Sequence, residues 1–245
     1  MYAEEICAHF DSLFPGRESI VWHEIISDLV HIDVHVMKPG DADDFYVIYT
    51  TGMSDLPMTM PEELPESENW AFAELLMMLP SSWNPGEVLK LSPGPAIADG
   101  SLEPVSAKGA QPSSAMPTIE DGYSEPASAG SDEDYWAVNL IKFLARLPHE
   151  YKTWLGSGHT IPNGPDYDAF LKGSDMSCAL IIDPGEGFSP LKAKDGTNIN
   201  LYMVMPITKA ETELKLVKGM DMLIDLFDKH NVPMVIDMFR KCTVS

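Results

Sequence analysis

An α+β fold, a mixed β-sheet flanked by helices in one domain, is predicted by three features of this chain. Strand-length apolar or alternating runs stand on both sides of a long Pro-, Ser- and Ala-rich stretch. Helical periodicity appears near both ends and again directly after that stretch. No internal repeat is visible. Strands before and after the stretch, with helices at the ends, suit one mixed sheet around a common core. A division into two domains at the stretch is the other arrangement that the pattern allows.

The elements follow in order. Residues 3–14 suit a helix with Ile6, Phe10, Leu13 and Phe14 on one face, ended by Pro15-Gly16. Residues 30–37 (VHIDVHVM) alternate, with Val30, Ile32, Val34 and Val36 on one side and His31, Asp33 and His35 on the other. That is the pattern of a half-buried strand. Residues 45–51 (FYVIYTT) are β-branched and aromatic, and a polar turn over residues 40–44 makes them its antiparallel neighbour. The run 71–79 (AFAELLMML) has no decisive period; its shortness, with Pro80 and Trp83 directly after it, favours a strand. From Ser92 to Asp134 the chain turns to Pro, Ser, Ala and Gly with scattered acids. Such a segment cannot offset its ordering entropy by burial, so residues 92–134 are expected to form a disordered insertion in a domain made of 1–91 and 135–245. The acids at its end favour the start of a helix over Tyr135–Leu147. That helix aligns Trp136, Leu140, Phe143, Leu144 and Leu147, and Pro148 closes it. Residues 176–182 and 198–206 read as two more apolar strands. Residues 211–229 read as a helix with Leu214, Val217, Met220, Leu223, Ile224 and Phe227 on one face, bent at Gly219 and ended by His230-Asn231.

Charge narrows the function. With 38 acidic and 16 basic residues the net charge is −22. Phosphate backbones and anionic leaflets are both repelled by such a surface, so neither nucleic acid nor a membrane is an expected partner. A basic protein partner is electrostatically suited, and solubility alone accounts for the acidity equally well. Cys7, Cys178 and Cys242 are far apart and form no CxxC pair. The opening MYAEEICAHF lacks a basic region and a long apolar run, and no stretch approaches the ~20 apolar residues of a membrane span. A reduced, cytoplasmic protein is expected.

Catalytic motifs are weak. His31, Asp33 and His35 share a strand face at a spacing that metal sites use, so a metal-dependent hydrolase, with His159 as a further ligand, is the alternative reading. A solvated or hydrogen-bonded polar face gives the same pattern, and no HExxH accompanies it. His149-Glu150 are chain neighbours that need not point together. His159 either braces its own loop or presents it to a ligand. Gly156-Ser157-Gly158 lacks the Lys-Ser/Thr of a phosphate loop, and neither Ser54 nor Ser157 lies in a GxSxG elbow. No catalytic residue, metal or cofactor is assigned.

Several multi-residue blocks are more specific. HIDVHV (31–36), TGMSDLPM (51–58), AEL–LP–W across 73–83 and LARLPHEYKTWLGSGHTIPNG (144–164) occur in that order. INLYMVMPIT (199–208), ETELKL (211–216) and VIDMFRK (235–241) follow. The chain resembles the suppressor of fused domain in its single-domain, bacterial-type form. The resemblance implies an α/β module with a mixed sheet that binds protein and has no established catalytic residues. Animal members bind the zinc-finger transcription factors of Hedgehog signalling and carry a second domain that this sequence does not match, so that role is not carried over. In bacteria the resemblance implies an immunity protein that neutralises a toxin. The two densest blocks then supply the expected partner surface: Met53, Ser54, Asp55, His149, Tyr151, Trp154, His159 and Asn163.

Overall fold

In the computed structural model, residues 1–24, 27, 29–41, 43–84 and 132–244 are described. Their elements run α1 (Ala3–Leu13), β1 (Ser19–Trp22), β2 (Asp33–Met37), β3 (Phe45–Thr51), β4 (Ala73–Pro80), α2 (Asp132–Glu150), β5 (Thr160–Pro162), β6 (Met176–Ile182), β7 (Leu191–Lys192), β8 (Asn198–Thr208), α3 (Lys209–Lys218) and α4 (Met220–His230). Short 3-10 turns cover Met53–Asp55 and Ser67–Trp70. The expected insertion lies outside the described residues as far as 131. Its last three residues open α2, which begins at Asp132 rather than Tyr135.

One sheet collects strands from both halves of the chain, in the order β1-β2-β3-β4-β8-β6-β5, with β7 on the side of β8. Its neighbours are antiparallel except β4 and β8, where Ala73–Leu76 run parallel to Asn200–Met203. That parallel seam joins the two halves and makes the sheet mixed.

Helices cover both faces. On one, α2 packs Trp136, Leu140, Ile141 and Leu144 onto Val34, Val36, Ile48, Leu75 and Met77, together with Ile236 and Met238 from the C-terminal segment. On the other, Ile6 and Phe10 of α1, Phe14 directly after it, and Leu223 and Phe227 of α4 pack onto Met37, Val47, Tyr49, Leu76 and Met203. Strands covered on both faces become continuous apolar runs, which is why AELLMML and INLYMVMPI show no clean alternation.

Three expectations need correction. The polar side of residues 30–37 is not solvated throughout: α1 lies over it, and His35 is 7% exposed. Pro148 does not end α2, which continues to Glu150. A proline one turn from the end forfeits a single backbone bond, and Tyr151 N–H still reaches the Leu147 carbonyl at 3.0 Å. The stretch 211–229 is two helices, because Gly219 adopts φ 93°, ψ 169° between them. No single helical register runs through that break, so Val217 faces water at 76% exposure while Leu223 and Phe227 are buried. Strands β1, β5 and β7 are additions to the predicted set. Thr160–Pro162 reads as loop in sequence, yet it is an edge strand, the position that tolerates proline in a sheet.

His35 completes a ring stack. Phe10 lies 3.8 Å from Tyr49 at 6°, and His35 stacks on the same tyrosine at 4.6 Å and 5°. Its Nε2 lies 3.0 Å from the Thr51 hydroxyl, and the Cys7 sulfur is 3.8 Å from its Nδ1. Burial pushes the imidazole pKa from 6.5 down to about 4. A lowered pKa means that the unfolded chain binds the proton more tightly, so the stability contributed by neutral His35 is complete above about pH 6.5 and is lost as pH falls towards about 4. Between pH 7 and pH 5 this amounts to about 2 kcal/mol. Urea titrations of the native protein and of His35→Phe, which keeps the stack without a titrating group, are expected to diverge by that amount at pH 5. Parallel pH dependence of the two would refute the assignment.

Candidate functional site

The site grows from a carboxyl group inside an apolar strand. Glu74 of β4 has no exposed surface. Its Oε1 accepts hydrogen bonds from the backbone N–H of Gly52 and of Ser54, both at 2.9 Å, and from the Ser54 hydroxyl at 2.6 Å. Its Oε2 accepts from the Thr50 hydroxyl at 2.7 Å. The chain can wrap a carboxylate this closely because Gly52 sits at φ 106°, which turns its N–H and that of Ser54 to the same point. Burial pushes the Glu74 pKa up against the pull of these four donors.

The loop so anchored meets the second motif block. The Met53 carbonyl accepts a hydrogen bond from His149 Nε2 at 2.9 Å, which places the proton on that nitrogen. Burial lowers the His149 pKa, and the Met53 carbonyl opposes the shift. Farther along, Thr59 N–H bonds the Thr153 carbonyl at 3.0 Å and Leu155 N–H approaches the Met58 sulfur at 3.3 Å. Residues 52–59 and 149–155 are therefore laced together at three points. His149 reaches Met53 only because α2 continues past Pro148.

The loop then turns back to the sheet. Trp154 and His159 make an edge-to-face contact with centroids 4.3 Å apart. A Cβ on Gly156 would come within 2.6 Å of the Trp154 ring. Gly158 N–H bonds the Ile181 carbonyl at 2.7 Å, and Ile181 N–H bonds the His159 carbonyl at 2.9 Å. Burial, then the charge of Lys215, lowers the His159 pKa.

The expected surface residues divide accordingly. Met53 and Ser54 are fully buried and build the loop. His149 locks it from below and Asp55 follows it. Tyr151 stands 41% exposed on the segment laced to it. Trp154 is half-buried against the core and pairs with His159. Asn163 is held elsewhere: its N–H bonds the Ser177 carbonyl, and its side-chain amide bonds the Asp168 carbonyl at 3.0 Å. Sequence reading missed Glu74 and Leu56. The first was signalled by one acid in AELLMML; the second, 43% exposed, lay inside TGMSDLPM without a distinguishing pattern.

The His31, Asp33 and His35 face comes apart as a chelating set. Asp33 bonds His23 Nδ1 at 2.9 Å and lies 3.2 Å from His31 Nε2, whereas His35 is buried in the ring stack. Among the described residues no group of three or more His, Cys, Asp or Glu side chains is placed to hold a metal ion. Cys7, Cys178 and Cys242 are unpaired. Among the described residues no helix is long and apolar enough to cross a membrane.

Residues 28–97 and 113–241 match the profile of the family described as suppressor of fused protein (SUFU). The chain belongs to the suppressor of fused family. Solved structures agree in fold. A SUFU homolog from Neisseria gonorrhoeae is 13% identical with a TM-score of 0.61, over 100% of this chain and 97% of that one. A chain of a Sufu-Fu complex is 14% identical with a TM-score of 0.57, over 98% and 91%. Drosophila Suppressor of Fused is 16% identical with a TM-score of 0.56, and this chain spans 50% of it. By sequence, no curated protein matches the chain. The matched residues include TGMSDLPM and LARLPHEYKTWLGSGHTIPNG, the two segments that the His149–Met53 contact joins.

Proposed function

We propose that this chain is a non-enzymatic, cytoplasmic binding module that sequesters or neutralises a protein partner, with an immunity protein opposing a basic toxin as the specific form. The observation that carries this reading is the lacing of the two family blocks into one support, with Leu56 and Tyr151 exposed on the two segments it joins. Recognition loops need such a rigid base. Exposed aromatic and aliphatic side chains on a fixed frame suit the anchor role in protein interfaces. The Sufu-Fu complex shows a chain of the same fold with a protein bound. The net charge of −22 would speed capture of a basic partner by steering, an effect that salt weakens. The adjacent edge strand β5 offers a place where a partner strand could add.

Capture from native lysate, followed by binding measurements with the purified partner, tests the reading. A stoichiometric basic protein is expected, and its association rate is expected to fall as salt rises. Tyr151→Ala and Leu56→Asp are expected to weaken it about 30-fold each with little change in melting temperature. No stoichiometric partner, or full affinity in both variants, would overturn the proposal.

A further inference from the structure

Glu74 raises a physical question that its fold does not answer by itself. The remaining residues of Ala73–Leu79 are buried and apolar. An ionisable group there is costly unless it is fully bonded. None of the ion pairs among the described residues involves Glu74. What surrounds it is a set of four donors from Thr50, Gly52 and Ser54. A carboxylate brings two oxygens and no proton, so it accepts all four; a glutamine brings one accepting oxygen and two donors of its own. Thr50 carries the connection back into the strand, because its hydroxyl also accepts from Leu75 N–H at 2.9 Å. Between Gly52 and Ser54 lies Met53, and its carbonyl is the one that His149 grips.

We infer that Glu74 is a positioning residue for the partner-facing segments: its carboxylate clamps Gly52 and Ser54, and the clamp sets where the Met53 carbonyl meets His149 and so registers residues 52–59 against 149–155. The inference rests on the binding role proposed above for those segments. A clamp of this kind predicts local consequences. Removing it frees the Gly52–Asp55 turn and the His149 contact first, and leaves the pairing of β6 with β8 in place, because the hydrogen bonds of the Glu74 side chain go to Thr50, Gly52 and Ser54 and not to those strands.

Amide exchange followed by NMR, with the imidazole nitrogens of His149 read in parallel, tests this without any partner. In Glu74→Leu the Gly52 and Ser54 amides are expected to exchange at least ~100-fold faster, while Val204 and Met205 in β8 change by less than ~10-fold. The His149 Nε2–H signature is expected to be lost. Glu74→Gln is expected to restore part of the protection and part of that signature. Should Glu74→Leu fail to fold, Ser54→Ala, which removes one donor and keeps the carboxylate, is expected to show the same local pattern at smaller amplitude. Uniform acceleration across the sheet, an unchanged His149 signal, or a Glu74→Gln variant no better than Glu74→Leu would each overturn the inference. Failure to find a partner would strike the binding proposal and leave this result standing.

Discussion

Gly52→Ala is expected to destabilise the protein by about 3 kcal/mol or more and to detach the TGMS turn. Two independent effects combine at this residue. Its φ of 106° is a conformation that L side chains rarely adopt. A Cβ built there would lie 1.9 Å from the His31 carbonyl oxygen and 2.9 Å from its carbon. Both atoms belong to backbone, so no rotamer change relieves the contact. The turn must move away from the segment leading into β2, and the bond from Gly52 N–H to Glu74 goes with it. Chemical denaturation with the sheet amides as internal reference checks the result. Gly158 is the natural control, because it too has positive φ but a Cβ there would meet nothing within 4 Å. Gly158→Ala is expected to cost about 1 kcal/mol from backbone strain alone. Equal losses in the two variants would show that the contact with His31 is not the source.

Glu211→Ala is expected to cost about 3–5 kcal/mol, the range found when one partner of a buried ion pair is removed. Glu211 has no exposed surface, and the two nitrogens of the Arg240 fork approach its oxygens at 2.6 and 2.7 Å. It also accepts from Thr208 N–H in a capping box that starts α3, and from both the N–H and hydroxyl of Thr243. One carboxylate therefore starts a helix and ties down the C-terminal segment. Its removal strands a guanidinium whose side chain is 10% exposed. The double variant Glu211→Ala/Arg240→Ala is expected to recover part of the loss, and a cycle that is simply additive would dismiss the pairing. Burial alone would raise the Glu211 pKa, but the Arg240 hydrogen bonds, the Thr208 and Thr243 backbone and the Arg240 charge together hold it below the usual range. This carboxylate therefore contributes its stability above the pKa of the unfolded glutamate, about 4.3, and loses it as pH falls through the lower folded value.

Much of the fold was legible in one sequence because its long elements carry strong local patterns. VHIDVHVM, FYVIYTT and MSCALII fall on β2 with its approach, β3 and β6, and the periodic run after residue 134 falls on α2. Short elements were not legible. SIVW, TIP and LK are too brief to show a period, and they become strands only because a neighbour supplies hydrogen-bond partners. The candidate site was half legible. Its blocks stood out by composition, yet nothing in the chain order distinguished Met53 and Ser54, which are buried, from Leu56 and Tyr151, which are exposed. Val217 shows the same limit on a helix, where a break of one glycine turns a predicted core position outward.

By itself the sequence determined the class of the fold, the net charge of −22 and the blocks on which the family resemblance rests. These depend on periodicity, composition and local chemistry, all properties of neighbouring residues. Tertiary structure alone decided that His35 lies in a ring stack, that Glu74 holds a turn, and that two blocks 96 residues apart meet at His149 and Met53. The reason is that a strand's pattern reports which of its sides is apolar and is silent about what covers the other. The covering groups here, α1 over His35, the turn over Glu74 and the end of α2 under Met53, arrive from distant parts of the chain.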